Sequence, residues 1–145
     1  MGFRDRQERD HRIKGWAAVP LFADCTRRQL ERVDQLGAVL PVPAGEALTL
    51  EGTPGRECFV LLDGAATVQR AEVPVGVVPQ GTVAGELALL DRVARSATVV
   101  TKSPTRLMVL SPPEFGELLD IAPCVADQVL ETAARRRDAL EVAVR

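Results

Sequence analysis

The sequence predicts a mainly β fold flanked by helices: a sandwich or barrel with helical segments before and after it. Three observations carry that reading. From Ala38 to Leu110, glycine and proline punctuate the chain into short runs rich in Val and Leu. Both ends instead carry apolar residues at three- and four-residue spacing. The chain has 145 residues, 46% of them hydrophobic, which suits one domain, residues 1–145, with an ordinary core.

The elements follow in order. Residues 4–36 read as helical. Arg4 to Ala18 is rich in helix formers, and Pro20 ends the run. Asp24 or Thr26 is placed to cap a second helix, in which Leu30, Val33 and Leu36 share a face and Gly37 supplies a stop. Trp16 is expected to anchor the first helix on the β region. In residues 38–110 the strand candidates are 39–40, 47–50, 58–62, 66–68, 75–78, 96–100 and 107–110. Spacing of roughly 8–12 residues with turn signals between them marks a sandwich or barrel. Phe59 to Leu62 is continuously apolar and predicts a buried strand. The segment between Val68 and Val77 is short and lacks Asn-Gly or Asp-Gly, which predicts a truncated hairpin. Residues 113–145 return to helix. Ser111-Pro112-Pro113-Glu114 is a start signal, and Phe115, Leu118 and Leu119 form an apolar face. Pro123 interrupts. A last helix from about Val125 to Val144 places Val125, Val129, Thr132 or Ala133, Arg136 and Leu140 along one stripe.

Composition removes several functions. With 18 basic and 20 acidic residues the net charge is −2, which lacks the basic excess of a nucleic-acid binder. The single histidine, His11, rules out a multi-histidine metal site within one chain and leaves no Ser-His-Asp or Cys-His arrangement in the β region. No enzyme, metal or cofactor is therefore expected. Cys25, Cys58 and Cys124 are odd in number and far apart, without CxxC spacing, and read as small reduced thiols. No apolar core follows the charged N-terminus. The uncharged stretch 73–85 is broken by Pro74 and Pro79, and Arg6 stands where a myristoylation motif wants Ser or Thr. A cytoplasmic protein without membrane contact is expected.

One segment, residues 85–99, carries candidate chemistry. Leu87-Ala88-Leu89-Leu90 is a single helical turn between strands, and its first backbone N–H groups lack partners and favour an anion. Arg95 follows the turn, and a guanidinium fork suits a phosphate. Glu86 would repel a phosphate, so its carboxylate is better read as an acceptor for a sugar hydroxyl. Together they describe a ribose-phosphate site.

Gly85-Glu86-Leu87-Ala88-Leu89, followed by Arg95-Ser96-Ala97-Thr98, closely resembles the phosphate-binding cassette of the cyclic nucleotide-binding domain family. Ala44-Gly45-Glu46, Glu51-Gly52 and Phe59-Val60-Leu61-Leu62-Asp63-Gly64 resemble that family's turns, so the likeness covers about residues 20–140. The resemblance implies a double-stranded β-helix (jelly-roll) with N-terminal helices, a short cassette helix and C-terminal lid helices. It implies that Glu86 accepts from the ribose 2′-OH. Arg95 and the N–H groups near Leu87 and Ala88 would hold the cyclic phosphate. Ser96 would add a contact to phosphate or base, and Gly85 would admit the ribose. The last helix would cover the base, with Thr132 a candidate lid residue, and would form a seam with a homodimer mate or a protein partner. The implied ligand is cyclic AMP, with cyclic GMP the alternative. Ala84 departs from the family's usual Phe, Ala94 from its usual residue before the arginine, and no Thr-Ser pair opens the lid.

Competing readings are structural. Glu86 and Arg95 could form an ion pair in a β-roll that has lost its ligand and serves as an interaction module through its C-terminal helix. Arg135-Arg136-Arg137, flanked by Glu131 and Asp138, reads as a solvated helix face rather than a nucleic-acid patch. His11 reads as a surface residue. A DNA-reading segment would need several tens of residues beyond 145, so the expectation is a stand-alone sensor without DNA-binding or catalytic output.

Overall fold

The computed structural model describes residues 2–144. Met1 and Arg145, the ends of the expected domain, lie outside the described residues. The helical start comprises α1 (Phe3–Ala17), a 3-10 turn (Pro20–Phe22) and α2 (Arg27–Asp34). Thr26 is the cap that opens α2: its hydroxyl accepts from Gln29 N–H, and the Gln29 side chain accepts from Thr26 N–H. Trp16 packs edge-on against Phe22, with ring centres 5.6 Å apart, and donates its indole N–H to Asp34 at 2.9 Å. It therefore anchors α1 on the 3-10 turn and α2, where the β region was expected. The helix stops at Asp34, before Gly37. A side chain at 37 would collide with the Val109 carbonyl, so that glycine serves close packing on a strand.

The strands are β1 (Ala38–Val42), β2 (Ala47–Thr49), β3 (Cys58–Asp63), β4 (Ala66–Arg70), β5 (Val73–Val78), β6 (Val83–Ala84), β7 (Thr98–Thr101) and β8 (Thr105–Leu110). They form two antiparallel four-stranded sheets, ordered β1-β8-β3-β6 and β2-β7-β4-β5. This is the jelly-roll expected. β3 explains its own composition. Phe59 and Leu61 face the core between the sheets, with Val78, Val99 and Leu107. Cys58, Val60 and Leu62 face the helices, with Phe22, Val33, Met108 and Leu118. Side chains alternate across a strand, so a strand covered on both faces must be apolar throughout.

Three expectations change. The β4–β5 hairpin is not truncated: it runs from Ala66 to Val78 and closes on Ala71 and Glu72, both left-handed, at φ 48° and 65°. Ala71 N–H is held by Glu51 Oε1 at 3.1 Å. Second, β6 was not expected, and it pairs Ala84 with Phe59, setting a small residue opposite a large one. Third, the strand expected from Ser96 begins at Thr98. The C-terminal helices are α4 (Pro112–Ile121), capped by Ser111 and Glu114, and α5 (Pro123–Val144). The cassette helix between β6 and β7 is α3 (Glu86–Asp91). α5 buries Val125, Val129 and Ala133, which brings its middle turns over α3.

Candidate functional site

A cleft of about 230 Å³ opens between the β4–β5 hairpin, α3 and α5. Gly85, Glu86, Leu87, Ala88, Arg95 and Ser96 all line it. β6 delivers the chain to Gly85, which takes a left-handed conformation at φ 84°. A side chain there would lie 2.6 Å from Arg95 Nη1, so glycine leaves room for the guanidinium at the edge of the cleft. Gly85 has no side chain to cap α3, so the first N–H groups of the turn have no capping side chain. At its other end α3 stops on Arg92, again left-handed at φ 53°.

Arg95 is fixed at both ends. Its backbone N–H donates to Thr53 O, and its own carbonyl accepts from Gly52 N–H, each at 2.8 Å. Its guanidinium donates to Gly85 O at 3.0 Å and Glu57 O at 2.6 Å. Gly55 makes room for this: a side chain there would strike Ala88 Cβ and reach 3.1 Å from Arg95 Cζ. Arg95 is only 8% exposed, and among the described residues no carboxylate pairs with it. Burial pulls the guanidinium below its ordinary value, while the nearby carboxylates of Glu57 and Glu86 oppose that shift. The result is a buried cation held by carbonyl dipoles alone. Leaving a charge without a counter-charge is costly, and an anion in the cleft would remove that cost.

The expected alternative, a Glu86–Arg95 ion pair, is not what forms. Glu86 is 1% exposed, and both its oxygens accept from Arg136 Nη1 on α5, at 2.7 Å to Oε2. One turn on, Ala139 also lines the cleft. Thr132 does not line it. Its hydroxyl accepts from Arg135 on the outer side of α5. The arginine run is therefore not uniformly a solvated face. Arg135 pairs with Glu131 as expected, but Arg137 grips Asp91 through two bonds of 2.7 Å and Arg136 grips Glu86. The Arg137 guanidinium holds the Asp91 carboxyl below its usual range. Arg136 is the site residue that sequence reasoning missed. Its signal was its place on the same stripe as Val129 and Ala133, a position that must face the cassette.

Val68, Arg70, Val75 and Val77 also line the cleft, as apolar walls with one more cation. Arg70 Nε is buried there without a hydrogen-bond partner. The cleft thus combines a buried cation, a buried carboxylate and an apolar wall. That set of surfaces suits a phosphate, a sugar and a planar base.

Known proteins resemble this chain in sequence and in fold. A family model, the cyclic nucleotide-binding domain, matches residues 39–121. A cyclic nucleotide-gated potassium channel of Rhizobium etli is 32% identical over 141 residues, 94% of this chain and 39% of the channel. A solved domain of a protein kinase A regulatory subunit, bound to Sp-2Cl-cAMPS, superposes with a TM-score of 0.76 at 22% identity, covering 94% of this chain and 93% of that one. The catabolite activator protein of Thermus thermophilus superposes with a TM-score of 0.70 at 22% identity, over 86% of this chain and 61% of that one. The chain spans about two-fifths of the length of the curated channels it matches, 39% in both Rhizobium etli and Mesorhizobium japonicum.

Proposed function

The chain belongs to the cyclic nucleotide-binding domain family, and from that premise we propose that its cleft is a working sensor site for a cyclic purine nucleotide. Cyclic AMP is the ligand proposed, with cyclic GMP the alternative. The observation that carries this reading is Arg95: buried, fixed at both ends, and without a carboxylate partner. The cyclic phosphate sits against this guanidinium and the N–H groups of Leu87 and Ala88, with the Ser96 hydroxyl beside them. The ribose 2′-OH donates to Glu86. The base lies along the apolar wall of β4 and β5, toward Arg70. The likeness to a domain bound to a cyclic AMP analogue supports the choice of adenine.

Binding would then be coupled to α5. Arg136 already occupies both oxygens of Glu86, so a ribose hydroxyl must share or displace it. The exchange shifts α5 between two positions, and the shift is limited by the ligand's differential affinity for them. A homodimer mate or protein partner docked on α5 would read that shift. The 145 residues act in this account as one regulatory module, with no chemistry of their own.

The Arg136–Glu86 pair also favours a second reading, in which an internal arginine has replaced the ligand and the β-roll serves only as an interaction module. Thermal unfolding separates the two. A ligand that binds only the native state raises the melting temperature by mass action. Cyclic AMP at a hundredfold excess over its dissociation constant stabilises by about 2.7 kcal/mol, which is roughly 5–10 °C for a chain of this size. Linear 5′-AMP serves as the control. A shift with the cyclic nucleotide alone supports the sensor, and no shift with either cyclic nucleotide supports the interaction module.

A further inference from the structure

Cys25 and Cys124 are 99 positions apart in sequence, yet their sulfurs lie 3.9 Å from each other. All three cysteines are free thiols, and the fold brings two of them together. Cys25 sits between the 3-10 turn and α2, and Cys124 sits in the first turn of α5. Both are half-buried, whereas Cys58 is fully buried on β3, on the face toward the helices. Nearby, Gln128 Nε2 donates to the Leu21 carbonyl at 3.2 Å, so the base of α5 is already moored to the same helical start.

We infer that Cys25 and Cys124 form an oxidisable dithiol, and that their disulfide staples the root of α5 to the N-terminal helices. The sulfurs need approach by only about 2 Å to reach bonding distance. The oxidant is a hydroperoxide. One of the two sulfurs attacks the peroxide oxygen, the O–O bond breaks, and the sulfenic acid forms with release of water or an alcohol. The other sulfur then attacks the sulfenic sulfur, its proton leaves, and the departing hydroxide becomes water. Two electrons pass from the sulfurs to the peroxide. Burial, together with the neighbouring Cys124, pushes the Cys25 thiol up to about 12.

The staple has a functional consequence that rests on the nucleotide-sensor reading. It holds the root of the helix whose Arg136 covers Glu86, so the oxidised protein binds cyclic nucleotide more weakly than the reduced protein.

The test uses the whole chain treated with hydrogen peroxide, blocked with an alkylating reagent and digested with trypsin. The result expected is one cross-link joining peptide 15–27 to peptide 107–135, with the Cys58 peptide alkylated only after unfolding. Cys25→Ser and Cys124→Ser each abolish it. The melting temperature of the oxidised protein rises by roughly 5–15 °C and returns on reduction. Two free thiols after peroxide, a link through Cys58, or a link between chains would overturn the inference. Titration of both forms with cyclic AMP completes the test. Equal binding by both forms removes the coupling to α5. If neither form binds while the cross-link is present, the sensor reading fails and the dithiol stands.

Discussion

A methyl group added at position 55 would meet Ala88 Cβ and the Arg95 guanidinium, both of which line the cleft. Gly55→Ala is therefore expected to cost about 1–3 kcal/mol of stability, as overpacking does, and to weaken nucleotide binding as well. Gly15 is the contrasting case. A methyl group there meets nothing within 4 Å, and the residue lies on the exposed side of α1. Gly15→Ala is expected to stabilise the protein by up to about 1 kcal/mol and leave binding alone. Urea unfolding of the two variants, with a binding titration of each, checks the pair. The contrast marks the limit of reading residues from sequence. Gly52-Thr53-Pro54-Gly55 was legible as a turn because the residue types carry that information locally. That Gly55 makes room for Arg95, 40 positions on, was not. Arg95 and Glu86 were legible as a pair of opposite roles, but their actual partners, two backbone carbonyls and Arg136, depend on segments that meet only in the fold.

The β4–β5 hairpin turns on two L-residues in left-handed conformations, Ala71 and Glu72. Each costs roughly 1–2 kcal/mol relative to glycine or asparagine, the residues this turn prefers. Replacing Ala71-Glu72 by Asn-Gly should therefore raise stability by about 1–3 kcal/mol, read as a higher melting temperature. An unchanged or lowered value would contradict the turn geometry. The absence of a turn signature is why the sequence suggested a shortened hairpin. β6 was illegible for a different reason: it is two residues long and exists only through its pairing with β3. The helices were legible because caps and spacing are local, as Thr26 and Ser111 show. The docking of α5 on α3 was only half legible. Its apolar stripe was apparent, but its ionic clasp was not. A double-mutant cycle on Glu86→Gln and Arg136→Gln should give a coupling of about 1–3 kcal/mol, because one partner is fully buried and the other largely so. Additive losses would mean that the pair does not hold α5 in place.

Across the whole molecule, one sheet separates two cores. The face of β1-β8-β3-β6 that meets the second sheet builds the roll, and its other face carries the helices. α5 belongs to the helical core through Val125 and Val129 and to the cleft through Arg136 and Ala139. α5 therefore joins the cleft to the helical layer, which is the route the proposed sensor would use. This division was foreshadowed by the alternation of textures along the chain, helical, then β, then helical. The central claim is that Arg95 receives the phosphate of a cyclic nucleotide. Isothermal titration of the protein and of Arg95→Ala with cyclic AMP tests it directly, with circular dichroism confirming the fold of the variant. Charge-assisted hydrogen bonds contribute roughly 1.5–3 kcal/mol each, so the account predicts saturable binding that weakens by about tenfold to a hundredfold or more in the variant. Equal binding by the two proteins, or no heat from either while both are folded, would contradict it.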